Sequence, residues 1–160
     1  MHKAMRTLLI SIGILAIAAL AGCSKEETGP YLELRGGGFI FNYRIAEATM
    51  GLVAAPLRTL PAGGKIEASF EDPAGGPAIV RSEKIDTGKE SYEFVTPPLK
   101  GIVADKEYEV VVRVLGADGK EVDRLEKGFH SQLDQSTLPE KPLVIGPVYT
   151  PNPELPPPGG

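Results

Sequence analysis

The chain has a single cysteine, Cys23, so it can neither close a disulfide within itself nor assemble a thiolate metal cage. It has no tryptophan and only two histidines, His2 and His130. His2 falls in an N-terminal segment that reads as a leader, which leaves His130 alone in the remainder. A histidine-based triad or a two-histidine metal site therefore has no second member, and His130 reads as an exposed residue at a strand end. Basic residues are not in excess: 17 Lys and Arg stand against 21 Asp and Glu, and they form no cluster. Nucleic acid is thereby excluded as an expected partner, since phosphate binding rests on massed Lys and Arg. No apolar run reaches the roughly 20 residues that a membrane-spanning helix needs.

The first 22 residues instead have three parts suited to export. Lys3 and Arg6 give a short positive start, residues 8–20 (LLISIGILAIAAL) carry no charge, and small residues follow, as at a cleavage site. Removing this leader leaves 15 basic against 21 acidic residues, a formal charge of −6. Leu20-Ala21-Gly22-Cys23 resembles the lipobox of bacterial lipoproteins. The resemblance implies cleavage between Gly22 and Cys23, with diacylglycerol and an N-acyl chain on Cys23 and no other cofactor. Ser24 follows the cysteine, where inner-membrane lipoproteins carry Asp, so outer-membrane attachment facing the periplasm is expected. Each buried methylene contributes about 0.8 kcal/mol, so two or three acyl chains hold firmly where one holds marginally.

The rest of the chain divides into three zones. Residues 23–30 form the lipidated cysteine and a polar spacer ending in Gly-Pro. Residues 31–131 alternate apolar and polar side chains between Gly- and Pro-rich turns, the pattern of an all-β, antiparallel sandwich. Residues 132–160 hold eight of the fifteen prolines and are expected to be an extended or disordered tail.

Within the middle zone, Phe39, Phe41, Tyr43 and Ile45 recur at spacing two, which points one apolar face inward. Arg35-Gly36-Gly37-Gly38 lacks the Gly-Lys-Ser/Thr of a phosphate loop and reads as a flexible edge or bulge. Residues 45–57 have some helix propensity, but Gly51 and Pro56 favour a continued or bulged strand. Further strands are expected over residues 66–70, 78–85, 92–95, 108–115 and 121–129. Ile102, Tyr108, the alternating valines after it and the turn Ala117-Asp118-Gly119 resemble the penultimate hairpin of a fibronectin type III or related immunoglobulin-like domain. That resemblance implies a tyrosine corner, with the Tyr108 hydroxyl bonded to backbone a few residues upstream.

No catalytic or metal-binding constellation is visible, and the chain is not expected to be an enzyme. Glu71-Asp72, Asp118 and Asp123 sit at turns and read as solvated carboxylates, since they lack the alternating oxygen ligands of a calcium loop. Two features are candidates for facing a partner. Phe39, Phe41 and Tyr43 are either core residues of a buried strand or a partner-facing strip. Val144, Ile145 and Tyr149 make the tail either a docking peptide or plain disordered chain. The expected role is a membrane-anchored module that binds another envelope component. The alternative is a carboxylate-based enzyme or ligand-binding accessory protein acting on cell-wall or extracellular glycans.

Overall fold

The computed structural model describes residues 28–146, 148 and 150–156. Gly22 and Cys23, with the rest of the leader, and Tyr149 lie outside the described residues. The described chain is an antiparallel β-sandwich. Its strands are β1 (Leu32–Asn42), β2 (Glu47–Pro56), β3 (Lys65–Phe70), β4 (Ile79–Lys84), β5 (Tyr92–Val95), β6 (Glu107–Leu115) and β7 (Glu121–His130), followed by the short pair β8 (Val144–Ile145) and β9 (Thr150–Pro151). One sheet has the order β1-β2-β5 and the other β4-β3-β6-β7, an arrangement compatible with an immunoglobulin-like or fibronectin type III-like domain.

Alternation builds the core. The inward set of β2 is Ala48, Met50, Leu52 and Ala54, that of β3 Ile66, Ala68 and Phe70, and that of β6 Tyr108, Val110, Val112 and Val114, all buried. β5 adds Tyr92 and Phe94, and Leu60, Leu99 and Ile102 close the core from the loops. Side chains at spacing two fall on one face of a strand, so two facing sheets bury these sets against each other. Phe39 joins from β1, its ring edge-on to Tyr108 with centroids 5.4 Å apart.

The Tyr108 hydroxyl accepts the backbone N–H of Val103 at 2.9 Å, the upstream bond that the tyrosine-corner resemblance implied. Tyr92 makes a second such lock: its hydroxyl donates to the carbonyl of Asp86 at 2.8 Å and accepts the Asp86 N–H at 3.0 Å. Each tyrosine thus buries its ring while its hydroxyl ties down a loop.

β1 departs from the pattern read in the sequence at both ends. It begins at Leu32, well before Phe39, and the ladder with β2 shifts between Leu34 and Gly36, leaving Arg35 as the bulged residue. Gly37, though exposed, leaves no room for a side chain: a Cβ there would stand 2.9 Å from both the Gly51 carbonyl and the Phe129 ring of β7. At the other end β1 stops at Asn42, paired with Glu47, and residues 43–46 form the turn. Asn42 Oδ1 accepts the Arg44 N–H, and Ala46 adopts φ 57°. Tyr43 and Ile45 therefore leave the inward face and are 43% and 38% exposed.

Candidate binding surface at the β1–β2 turn

The sandwich has two chemically distinct ends. At one, the chain enters β1, and Tyr31 donates its N–H to Asp123 Oδ2 at 2.6 Å while the Arg58 guanidinium lies 3.6 Å from the Tyr31 ring centroid. Most of the ion pairs among the described residues lie on this half of the molecule, with Lys106–Glu71 and Lys141–Glu154 toward the other. Glu83 accepts a hydrogen bond from Lys89 and raises the lysine pKa, and Glu126 does the same for Arg124.

At the other end, eleven residues of β1 away and so about 35 Å along the strand, stands the turn of residues 43–46. The tail arrives here along the loops. Asp134 Oδ1 accepts the Ala104 N–H at 2.9 Å, Gln135 donates its N–H to the Ile102 carbonyl at 2.8 Å, and Leu138 packs against the core after the 3-10 turn Gln135–Thr137. Leu143 and Val144 then donate their N–H groups to the Arg44 carbonyl, at 2.8 and 3.1 Å. Asn152, nearly buried, holds the returning arm. Its Nδ2 donates to the Pro142 carbonyl at 2.8 Å, its N–H to the Leu143 carbonyl at 3.0 Å, and its Oδ1 accepts the Glu154 N–H at 3.0 Å.

The structure thus separates some candidate residues and joins others. Phe39 and Phe41 pack against the core, whereas Tyr43 is exposed on the turn. Val144 is half-buried where it meets Arg44, and Leu143, Ile145 and Val148 are exposed around it, Val148 the most at 82%. Tyr43, Ile45, Leu143 and Ile145 are exposed apolar side chains at this end, set among the charges of Arg44 and the Lys141–Glu154 ion pair. Sequence reasoning missed Asn152 and Arg44, whose role depends on backbone groups that no side-chain pattern announces; the Pro151-Asn152-Pro153 run is the one local hint of a fixed turn.

His130 ends β7 and is exposed. Glu71, Asp72 and Glu109 line a concavity of about 180 Å3. Their groups serve the fold there: Glu71 Oε2 accepts the Glu109 N–H at 3.0 Å, and Asp72 Oδ1 accepts the Ala74 N–H at 3.0 Å. Among the described residues no group of three His, Cys, Asp or Glu side chains is arranged to hold a metal ion, and no helix is long and apolar enough to cross a membrane.

No protein-family model matches the chain, and no curated protein matches it. Among solved structures it is similar to catalytically inactive OgpA from Akkermansia muciniphila, crystallised with an O-glycopeptide substrate, glycodrosocin. The identity is 15%, the TM-score 0.34, and the match covers 65% of this chain but 29% of that one. The chain spans less than a third of that protein's length, and a likeness at this level assigns it no activity.

Proposed function

We propose that this protein is an envelope lipoprotein, cut between Gly22 and Cys23, lipidated on Cys23 and held at the outer membrane facing the periplasm. Its fibronectin type III-like domain acts as a binding module and recruits another envelope protein through the end built from the β1–β2 turn and the β8–β9 hairpin. The observation that carries this reading is the double hydrogen bond from Leu143 and Val144 to the Arg44 carbonyl. It gathers exposed apolar side chains from two distant stretches of sequence at the end of the sandwich opposite the entry of β1. A lipid on Cys23 followed by a short spacer sets that entry end toward the bilayer and the apolar end about 35 Å farther out, where a partner is reachable.

The test is photo-crosslinking in intact cells with the probe placed at Tyr43, Ile145 or, as a control, Val122 on β7. A defined adduct from Tyr43 and Ile145 that is absent from Val122 supports the reading. Loss of the Tyr43 adduct in a chain ending at Glu140, which keeps Leu138 and the contacts of Asp134 and Gln135, ties it to the hairpin. Equal adducts from Val122, or none from any position, overturn it.

A further inference from the structure

At the end where the chain enters β1, one guanidinium is fixed in place with its donors unused. Leu57 donates its N–H to the Tyr31 carbonyl at 2.9 Å, which sets the residues after β2 beside the first residue of the sandwich. Arg58 then lies with its guanidinium 3.6 Å from the Tyr31 ring centroid. It forms no ion pair and no hydrogen bond among the described residues: Nε is buried without an acceptor, and the two terminal nitrogens are open to solvent. A guanidinium held on an aromatic ring keeps a fixed plane, so little freedom is lost when an anion takes its donors. Leu57, 51% exposed, and Thr59, also exposed, flank it.

The carboxylates of this end are mostly spent on other groups. Asp123 accepts the N–H groups of Tyr31 and Arg124, Asp118 pairs with Lys120, Glu121 with Arg124 and Glu83 with Lys89, and Asp86 accepts the Gly88 N–H. Glu90 and Lys84 lack partners among the described residues and are opposite in sign. Charge at this end is therefore nearly balanced, and what it offers an anion is one placed group instead of a broad basic patch.

We propose that Arg58 binds the phosphate of a phospholipid headgroup while Leu57 rests in the headgroup layer beside it, so that the domain stands on the bilayer by its entry end. This contact rests on the lipid proposed for Cys23. From Cys23 the seven residues 24–30 lead to Tyr31, a reach of about 25 Å fully extended and about 15 Å as a flexible coil. Headgroups are thus always near Arg58, at an effective concentration on the order of millimolar. The planar fork of an arginine meets two phosphate oxygens at once. Within the chain the competing anions are Glu26 and Glu27 of the spacer, two carboxylates against a surface tiled with phosphates. The contact gives the anchored domain a fixed stance, with β1 upright and the β1–β2 turn directed away from the bilayer.

The chain has no tryptophan, so Thr59→Trp places a single reporter at this end and Val103→Trp one at the far end. The lipidated protein, purified from membranes, is put into vesicles of phosphatidylethanolamine and phosphatidylglycerol that contain a lipid with a nitroxide on its headgroup. Quenching of the tryptophan is expected to be strong at Thr59 and weak at Val103. Adding Arg58→Gln to Thr59→Trp lowers it about threefold to fivefold, the contribution of one cation near an anionic surface, at an unchanged melting temperature. Arg58→Lys, which keeps the charge and loses the fork, falls between. Equal quenching at Thr59 and Val103, or none of it lost in Arg58→Gln, overturns the inference. So does quenching at Thr59 that appears only after Glu26→Gln and Glu27→Gln, which assigns Arg58 to the spacer. The anchor is read separately, from incorporation of a palmitate analogue. If no label enters, the chain is coupled through its Cys23 thiol to maleimide phosphatidylethanolamine, and the same comparison of parent with Arg58→Gln upholds or refutes the headgroup contact.

Discussion

Val103 hands its backbone N–H to the hydroxyl of Tyr108 at 2.9 Å, five positions downstream, and so fastens the loop before β6 to a ring buried between the sheets. Replacing Tyr108 by Phe keeps the ring and removes the acceptor. The expected cost is about 1–2 kcal/mol, seen in urea unfolding as a lower midpoint with an unchanged slope.

Tyr92→Phe removes one donor and one acceptor at Asp86. A loss of at least the same size is expected, with faster amide exchange concentrated at the N–H of Asp86. Uniform exchange across the domain would mean that the hydroxyl does not hold the loop.

Gly36 and Gly37 are neighbours with opposite surroundings. A Cβ at Gly36 meets nothing within 4 Å, whereas at Gly37 it presses on the Gly51 carbonyl and the Phe129 ring at 2.9 Å. Gly36→Ala should stay within about 0.5 kcal/mol of the parent, and Gly37→Ala should lose about 1–3 kcal/mol through forced repacking. Thermal melts of the two variants side by side check this.

Asn152→Ala should free the β8–β9 hairpin and leave the sandwich intact. The N–H groups of Leu143 and Val144, now bonded to the Arg44 carbonyl, should lose their exchange protection, while the global unfolding midpoint moves by less than about 0.5 kcal/mol equivalent.

The anchor is tested at its own residue. Cys23→Ala should abolish labelling by a palmitate analogue and release the protein from the membrane fraction; a labelled Cys23→Ala chain removes the basis for the anchored reading.

β3 and β6 were legible in the sequence because each sets apolar side chains at spacing two between polar ones, the signature of a half-buried strand. The first half of β1 was not. Arg35-Gly36-Gly37-Gly38 has almost no side-chain pattern, and what makes it a strand is its ladder to residues 51–53 of β2, a long-range fact. Tyr43 and Ile45 prolonged the alternation of Phe39 and Phe41 past the point where backbone pairing ends, so spacing alone put them on the wrong face. The candidate surface was half legible. Tyr43, Val144 and Ile145 stood out as apolar residues in polar surroundings, but their meeting depends on the Arg44 carbonyl and the amide of Asn152. Proline content predicts an extended tail; it does not say that four hydrogen bonds to the loop before β6 and to Arg44 fix its course.

The chain enters the sandwich at the foot of β1 and leaves it at the far end of β7. Any pull between a membrane below and a bound partner above therefore runs lengthwise along these two strands. It loads the β1–β2 and β6–β7 ladders in shear, so that many hydrogen bonds must fail together, and none is peeled open singly from an end. A domain strung in this way resists tension through its rate of unfolding more than through its equilibrium stability, which fits the proposed attachment at one end and binding at the other.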